Sequence, residues 1–196
     1  MLVDTHLLMS NILYKYLSNT IKFKIDSVAF AYGNIKPDFT DKDIKCAHTL
    51  NESLYSVIKY SDRLREDNIS IKEFSMSLGV TCHFICDYFC LYHRKDYCKK
   101  GILEHLFYES MLHLKLIALL LRGKLSINKH ESHENNVEEL ILKLDKKYNL
   151  ESKGMMRDIK FSLIAAKQIS KLIIYSSELY LQQNKTKITK GNILPI

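Results

Sequence analysis

The sequence predicts an all-α protein, a compact multi-helix bundle with a metal cleft between helices. Apolar residues recur at helical spacing, and no segment shows sustained strand alternation or an internal repeat. Only two prolines and six glycines interrupt the 196 residues, which favours long helices over many tight turns. With 46% hydrophobic and 26% charged residues, the chain has an ordinary globular composition, and we expect residues 1–196 to form a single domain.

The first helix is predicted from a capping residue and an apolar stripe. Asp4 or Thr5 can cap it, and its pattern runs to about Ser18. A polar connection over Lys22–Asp26 is expected to follow.

The next segment, Phe30–Asp38, carries two residues that disfavour a continuous helix. Gly33 is permissive, and Pro37 pushes the residue before it toward extended geometry. We therefore predict that Asp38 lies on a loop, where site residues are often found.

The rest of the chain is predicted to form further helices, separated by a polar loop over Gly123–Glu134 and followed by a loosely held tail after Asn184. The expected helices are about Thr49–Arg65, Ile71–Tyr92, Gly101–Arg122, Val137–Tyr148 and Gly154–Gln182.

Two histidine–carboxylate pairs in consecutive helices are the most informative feature. His83 and Asp87 are four residues apart, as are His105 and Glu109, with His93 between the pairs. Residues four apart share a helix face, with Cβ atoms about 5–6 Å apart, so both side chains of a pair can reach one metal ion. Imidazole and carboxylate together suit Zn²⁺. His93 can approach the same site if the helix predicted over Ile71–Tyr92 ends near His93 and the chain turns inward.

Each part of this pattern also has an ordinary explanation. A single His-x3-Asp pair is usually an ion pair, and an isolated buried histidine is usually a hydrogen-bonded core residue. The metal hypothesis depends on their joint occurrence. Cys82, Cys86 and Cys90 also repeat every four residues, but cysteine behaves as a small hydrophobe in cores, which favours packing over ligation.

Charge and cysteine content indicate partners and compartment. The net charge of +7 favours partners that carry phosphate, although a solvated lysine-rich surface explains it equally well. The N-terminus lacks the pattern of a signal peptide, and five cysteines are an odd number for a disulfide framework. We therefore expect a cytoplasmic protein, or a mature form numbered after processing. The longest apolar run, Leu114–Leu121, is too short for a transmembrane segment.

The histidines and carboxylates also occur in a telling order. The order is His6, Gly33-Asn-Ile-Lys-Pro-Asp38, His48, Gly79-x3-His83-x3-Asp87-x5-His93 and His105-x3-Glu109. It resembles the zinc-dependent phospholipase C family and, more distantly, the single-strand nucleases with a trinuclear zinc site. The resemblance covers residues 6–109 and implies a helical fold that holds zinc ions in a cleft.

The resemblance also implies which residues bind each ion. The implied ligand sets are Asp38, His48, His83 and Asp87 for one zinc; His93, His105 and Glu109 for a second; and His6 with Asp87 as a bridging carboxylate for a third. In the family an N-terminal amine and carbonyl complete the third set. The family's N-terminal tryptophan has no counterpart in this tryptophan-free chain, so either two or three ions are expected. Asp38 is also the implied catalytic residue, which holds or deprotonates the attacking water.

The expected function is hydrolysis of a phosphate ester by zinc-activated water, with a phospholipid headgroup as the favoured substrate and peripheral membrane contact. A nuclease-like phosphodiesterase is the first alternative, although no stripe of basic and aromatic residues marks a nucleic-acid groove. The second alternative is a non-catalytic module in which zinc staples helices together. The candidates for orienting the imidazoles are Tyr32, Asn34, Asn51, Glu52 and Tyr88.

Overall fold

In the computed structural model, the described residues are 1–40, 47–66, 68–97, 101–125 and 136–191, with side chains described as far as residue 184. These ranges contain eight α-helices and no strand, which confirms the all-α prediction. The helices are α1 (Val3–Tyr16), α2 (Ser27–Phe39), α3 (Leu50–Asp62), α4 (Ile71–Tyr88), α5 (Ile102–Leu121), α6 (Val137–Leu150), α7 (Met155–Tyr175) and α8 (Glu178–Gly191).

Helix α4 is the centre of the molecule. It begins at a capping box, in which the Ser70 hydroxyl accepts from the Glu73 amide and the Glu73 carboxylate accepts from the Ser70 amide. From Leu78 to its end every residue is buried, because α1, α2, α3 and α7 all pack against it. A helix enclosed on all sides places whatever polar groups it carries in the interior.

Helices α2 and α4 cross at two glycines. A Cβ atom on Gly33 would overlap the carbonyl of Met76, and one on Gly79 would overlap the carbonyl of Phe30. The two backbones therefore approach more closely than any larger residue would allow. This crossing fixes the end of α2 beside the part of α4 that carries the paired histidine and aspartate.

The prediction that Asp38 lies on a loop is wrong, because α2 continues to Phe39 with Pro37 inside it. The helix is started by Asp26, whose carboxylate accepts from the amide of Ala29 at 2.8 Å. Packing against α4 then holds the helix, and a proline in its last turn removes only one backbone hydrogen bond. Asp38 is therefore positioned by a rigid element.

The helix predicted over Ile71–Tyr92 was also expected to end four residues later than it does. Helix α4 ends at Tyr88, and after Phe89 and Cys90 the chain forms a short 3₁₀ turn over Leu91–His93. This is the inward turn that the histidine pattern required if His93 was to approach the other histidines.

Two other segments differ from expectation. The long helix predicted over Gly154–Gln182 is two helices, α7 and α8, and the Ser177 hydroxyl accepts from the amide of Tyr180 at the start of the second. The connection Lys22–Asp26 is not simply polar. Its Phe23 is only 1% exposed and packs edge-on against Phe74.

The cysteines that the structure describes behave as core residues. Cys82, Cys86 and Cys90 are free thiols and buried. Burial raises the pKa of Cys82 to about 12 and also raises those of Cys86 and Cys90, so all three stay neutral. Cys46, Cys98 and most of the predicted loop over Gly123–Glu134 lie outside the described residues, as does the end of the tail. Within the described ranges, none of the helices combines the length and apolar character needed to cross a bilayer.

Gly33→Ala should lower the free energy of unfolding by about 1–3 kcal/mol, the usual cost of overpacking a filled interior. The new methyl group would force α2 away from the backbone of Met76. Urea unfolding followed by circular dichroism measures the change.

Gly101→Ala is the matched control, because a Cβ atom there meets nothing within 4 Å. We expect its effect to stay below about 1 kcal/mol, the typical contribution of a helix cap. Equal unfolding midpoints for the two variants would contradict the close crossing of α2 and α4.

Candidate metal centre

All eight side chains predicted as metal ligands lie in one polar cluster. They come from four helices and two connecting segments: His6 from α1, Asp38 from α2, His48 before α3, His83 and Asp87 from α4, His93 from the 3₁₀ turn, and His105 and Glu109 from α5. The pair on α4 and the pair on α5 are therefore brought together, with His93 between Asp87 and Glu109.

The cluster has a closed floor and an open side. The side chains of His6, His83 and Asp87 are fully buried. Those of Asp38 and His48 are 20% and 23% exposed, and that of His105 is 32% exposed. A molecule approaching from solvent therefore meets the rim formed by Asp38, His48 and His105.

Four donor atoms converge at the junction of α2 and α4. Nε2 of His83 lies 3.0 Å from Nδ1 of His48, 3.3 Å from Oδ2 of Asp87 and 3.7 Å from Oδ1 of Asp38. Nδ1 of His48 lies 3.0 Å from the same oxygen of Asp87. Ligand atoms around a tetrahedral zinc with bonds of about 2.0–2.1 Å lie about 3.3 Å apart, so these four atoms have the spacing of a zinc site.

Backbone carbonyls fix the orientation of two imidazoles. Nδ1 of His83 lies 2.8 Å from the carbonyl oxygen of Asn34, and Nδ1 of His93 lies 3.2 Å from the carbonyl oxygen of His48. A carbonyl can only accept, so each Nδ1 carries the proton and each Nε2 presents a lone pair to the cluster. This is the second-sphere arrangement typical of metal-binding histidines. Among the predicted orienting residues, Asn34 acts through its backbone.

A second group of donors surrounds Glu109. Its Oε1 lies 3.1 Å from Nε2 of His93 and 2.7 Å from Nε2 of His105. The thiol of Cys90 lies within 4.8 Å of the donor atoms of His93 and Glu109. Because burial raises the pKa of that thiol, Cys90 is a neutral neighbour of this group and not a thiolate.

The third group centres on His6. Its Nε2 lies 3.2 Å from Oδ1 of Asp87, and its ring stacks on His83 at 3.9 Å. Neither ring nitrogen makes a hydrogen bond, although both are buried. An unsatisfied buried nitrogen destabilises a fold, and a metal ion would give it a partner. The two oxygens of Asp87 face different groups, Oδ1 toward His6 and Oδ2 toward His83, as a bridging carboxylate requires.

The α-amine of Met1 lies inside the cluster. It donates to Oδ1 of Asp87 at 2.6 Å and to Nε2 of His93 at 2.8 Å, and it lies 3.2 Å from Oε1 of Glu109. Burial opposes its charge most strongly, but the neighbouring acidic groups, with Asp87 foremost, together outweigh burial and raise the pKa of the amine to about 11. These acceptors therefore stabilise the protonated amine. The amine could bind a metal ion only after losing its proton.

Charge states in the cluster match those of metal ligands. Burial opposes ionisation of Asp87 and Glu109, but the neighbouring His93 and α-amine hold the pKa of Asp87 well below its usual range and lower that of Glu109 to about 2. Burial, aided by His83, lowers the pKa of His6 to about 3. The acids are therefore ionised and His6 is neutral at neutral pH. Asp38 differs, because its partial burial raises the pKa of the carboxyl.

Sequence reasoning missed the buried carboxylate that supports this arrangement. Asp158, at the start of α7, accepts from the amide of Leu91 and from the hydroxyls of Tyr108 and Tyr148, each at 2.7 Å. It thereby ties the turn that carries His93 to α5, at the residue before Glu109. The available signal was Asp158 itself, the one acidic residue in the sequence of Met155–Tyr175.

The comparison with known families agrees with this geometry. The model of the family described as zinc-dependent phospholipase C matches residues 5–159, a span that includes every predicted ligand. No curated protein and no solved structure shows a significant match. The family is zinc-dependent and hydrolyses phosphoric esters, and the donor atoms gathered here fit zinc. The match covers most of the chain, so this protein belongs to the zinc-dependent phospholipase C family.

Proposed function

We propose that the protein cleaves a phospholipid at its headgroup phosphate, using water activated by zinc. The observation that carries this proposal is the convergence of donor atoms from His48, His83 and Asp87 at the spacing of a zinc site, with Asp38 on the open side. The family match supports a phospholipid as the substrate class.

The eight ligands are proposed to hold three zinc ions. The sets are Asp38, His48, His83 and Asp87; His93, His105 and Glu109; and His6 with the second oxygen of Asp87. The unsatisfied nitrogens of His6 support the third set. Zinc bound here would lower the pKa of a water molecule toward about 7 and neutralise charge on the substrate phosphate.

Asp38 is proposed to hold the attacking water and accept its proton. Its carboxylate lies on the rim, 3.7 Å from Nε2 of His83, farther than the 3.0 Å and 3.3 Å of the other two neighbours. Burial raises its pKa, and a base with a higher pKa accepts a proton more readily. The rigid last turn of α2 fixes this carboxylate relative to His83, which Asn34 of the same helix orients.

His83→Ala should reduce both zinc content and hydrolysis. It removes the imidazole whose Nε2 lies within 3.7 Å of ligand atoms from three other residues, His48, Asp38 and Asp87. Even outer partners of metal ligands contribute about 10–100-fold, so we expect turnover of phosphatidylcholine to fall by at least about 100-fold. Elemental analysis of the purified protein and release of phosphocholine provide the two measurements.

His113→Ala is the matched control, because the imidazole of His113 contacts the Thr5 hydroxyl at 3.1 Å and forms no hydrogen bond or ion pair to the side chains of the eight ligands in the described residues. It should keep its zinc and its activity. Full turnover by protein stripped with a chelator would contradict a zinc mechanism. Cleavage of single-stranded DNA in preference to phosphatidylcholine would replace the phospholipid with a nucleic acid as substrate.

Asp38→Asn should lower kcat by about 10²–10⁴-fold, the usual contribution of a general base. The amide keeps an oxygen near His83 but has no basic carboxylate to take a proton. His48, His83 and Asp87 remain to hold the ion, so zinc content measured on the same sample should fall far less than kcat. A parallel loss of zinc would show instead that Asp38 acts only as a ligand.

His6→Ala should remove one zinc ion and leave the others, because His6 is the only histidine assigned to the third set, where it faces Oδ1 of Asp87. Thr5→Val is the control for disturbing this turn of α1, since Thr5 is equally buried but contacts only His113 among the histidines. Zinc counted per chain decides the outcome. An unchanged count in His6→Ala would reduce the proposal to two ions.

A further inference from the structure

The outer face of α5 is apolar although it is exposed. The exposed apolar residues on this helix, here called the α5 outer face, are Ile102, Leu103, Leu106, Phe107, Met111, Leu114 and Leu121. Leu103 is 79% exposed and Phe107 is 69% exposed. Up to Leu114 each of these residues lies three or four positions from another, and Leu121 follows seven positions later, so they share one side of the helix as a stripe.

Solvent-facing sides of helices in globular proteins are normally polar. On α5 the opposite side is already buried through Leu112, Leu116 and Leu119, so the outer face is not needed for the core. Ser110 is the one polar residue near the middle of the stripe. A contiguous apolar surface of this kind marks a site of contact with a partner or a membrane.

The α5 outer face is continuous with the candidate metal centre. His105 and Glu109 lie on the same helix, each within one turn of Leu106. A groove of about 360 Å³ lies between α1, the helix that carries His6, and α5; it is lined by Leu7, Leu8 and Ile117 together with Asp4, Asn11 and His113. A surface bound to the stripe would therefore lie next to the open side of the cluster.

Charged residues around the stripe favour an anionic partner. Lys115 borders the stripe, and Arg122 and Lys124 follow at its C-terminal end, all three exposed. The chain as a whole carries a net charge of +7. Apolar residues flanked by basic ones are typical of helices that lie in the plane of a membrane interface and attract anionic lipids.

We propose that the α5 outer face binds a lipid surface containing anionic lipid and holds the metal centre against it. This inference rests on the proposed phospholipid substrate. The helix lies along the interface and does not cross it, since it carries Glu104, Glu109 and Lys115 and is not a membrane-spanning segment. Leu103 and Phe107, both largely exposed in its first turns, enter the lipid first.

The absence of tryptophan from the sequence permits a direct test. Phe107→Trp places one fluorophore on the α5 outer face, and Tyr55→Trp places one on α3 at a site that is 77% exposed. Mixed with vesicles of phosphatidylcholine and phosphatidylglycerol, the first variant should show a blue-shifted emission that brominated lipid quenches. The second variant should show neither effect. Equal responses from both variants, or none from either, would overturn the proposal.

Sedimentation with the same vesicles measures affinity. Phe107→Asp should weaken binding by at least about tenfold, because a large buried apolar side chain contributes that much or more. Tyr55→Asp, an equally drastic change at an exposed aromatic residue, should leave binding unchanged. Binding that is lost equally in both variants contradicts the assignment. The assignment is also contradicted if the wild-type protein does not bind vesicles but forms dimers, and Phe107→Asp dissociates those dimers.

A water-soluble, monomeric phosphodiester separates this inference from the proposed function. Phe107→Asp should hydrolyse it at the wild-type rate while losing activity on vesicles, because the metal centre is untouched. If neither protein hydrolyses it or any phospholipid, and vesicle binding still depends on Phe107, the hydrolase proposal fails and the lipid-binding surface stands. If Phe107→Asp loses soluble activity and its circular dichroism signal, Leu103→Ser repeats the comparison with a milder change.

Discussion

The buried charge of Asp87 is the constraint around which the site is organised. An unpaired carboxylate in a protein interior is strongly destabilising, so each of its oxygens must find partners. The α-amine of Met1 donates to one oxygen and Nδ1 of His48 lies 3.0 Å from the other, while His6 and His83 pack beside them. Segments far apart in sequence are thus drawn to one point on α4. Metal ions bound here would neutralise the same charge, which would couple folding to metal binding.

The site was predictable to the extent that its spacing is local. His83 and Asp87, like His105 and Glu109, face one another because helical residues four apart do so in any context. Asp158 was not predictable in this way. Two of its three partners, Leu91 and Tyr108, lie 67 and 50 residues away in sequence, so local spacing does not reveal them.

The fold was predictable except where tertiary contact overrides a local rule. Helical periodicity placed the cores of the helices correctly, whereas the Gly33 and Pro37 pattern wrongly predicted a loop. Gly33 is explained by a backbone in another helix that leaves no room for a Cβ atom. Pro37 is tolerated because it falls in the last turn of a helix that is already capped and packed. Both residues therefore indicate a loop only if the packing of α2 against α4 is not taken into account.

Two features of this chain oppose stability, and both involve α5. Its inner face contributes Glu109, a buried carboxylate, and its outer face exposes apolar side chains that folding leaves unused. Natural sequences break the rules of burial mainly where function requires it, so both violations call for a functional reason. A metal ion would neutralise the Glu109 carboxylate, and a lipid surface would cover the exposed apolar side chains. Because one rigid helix carries both, a phosphate at the lipid surface would be held at a fixed distance from the donors that are to act on it.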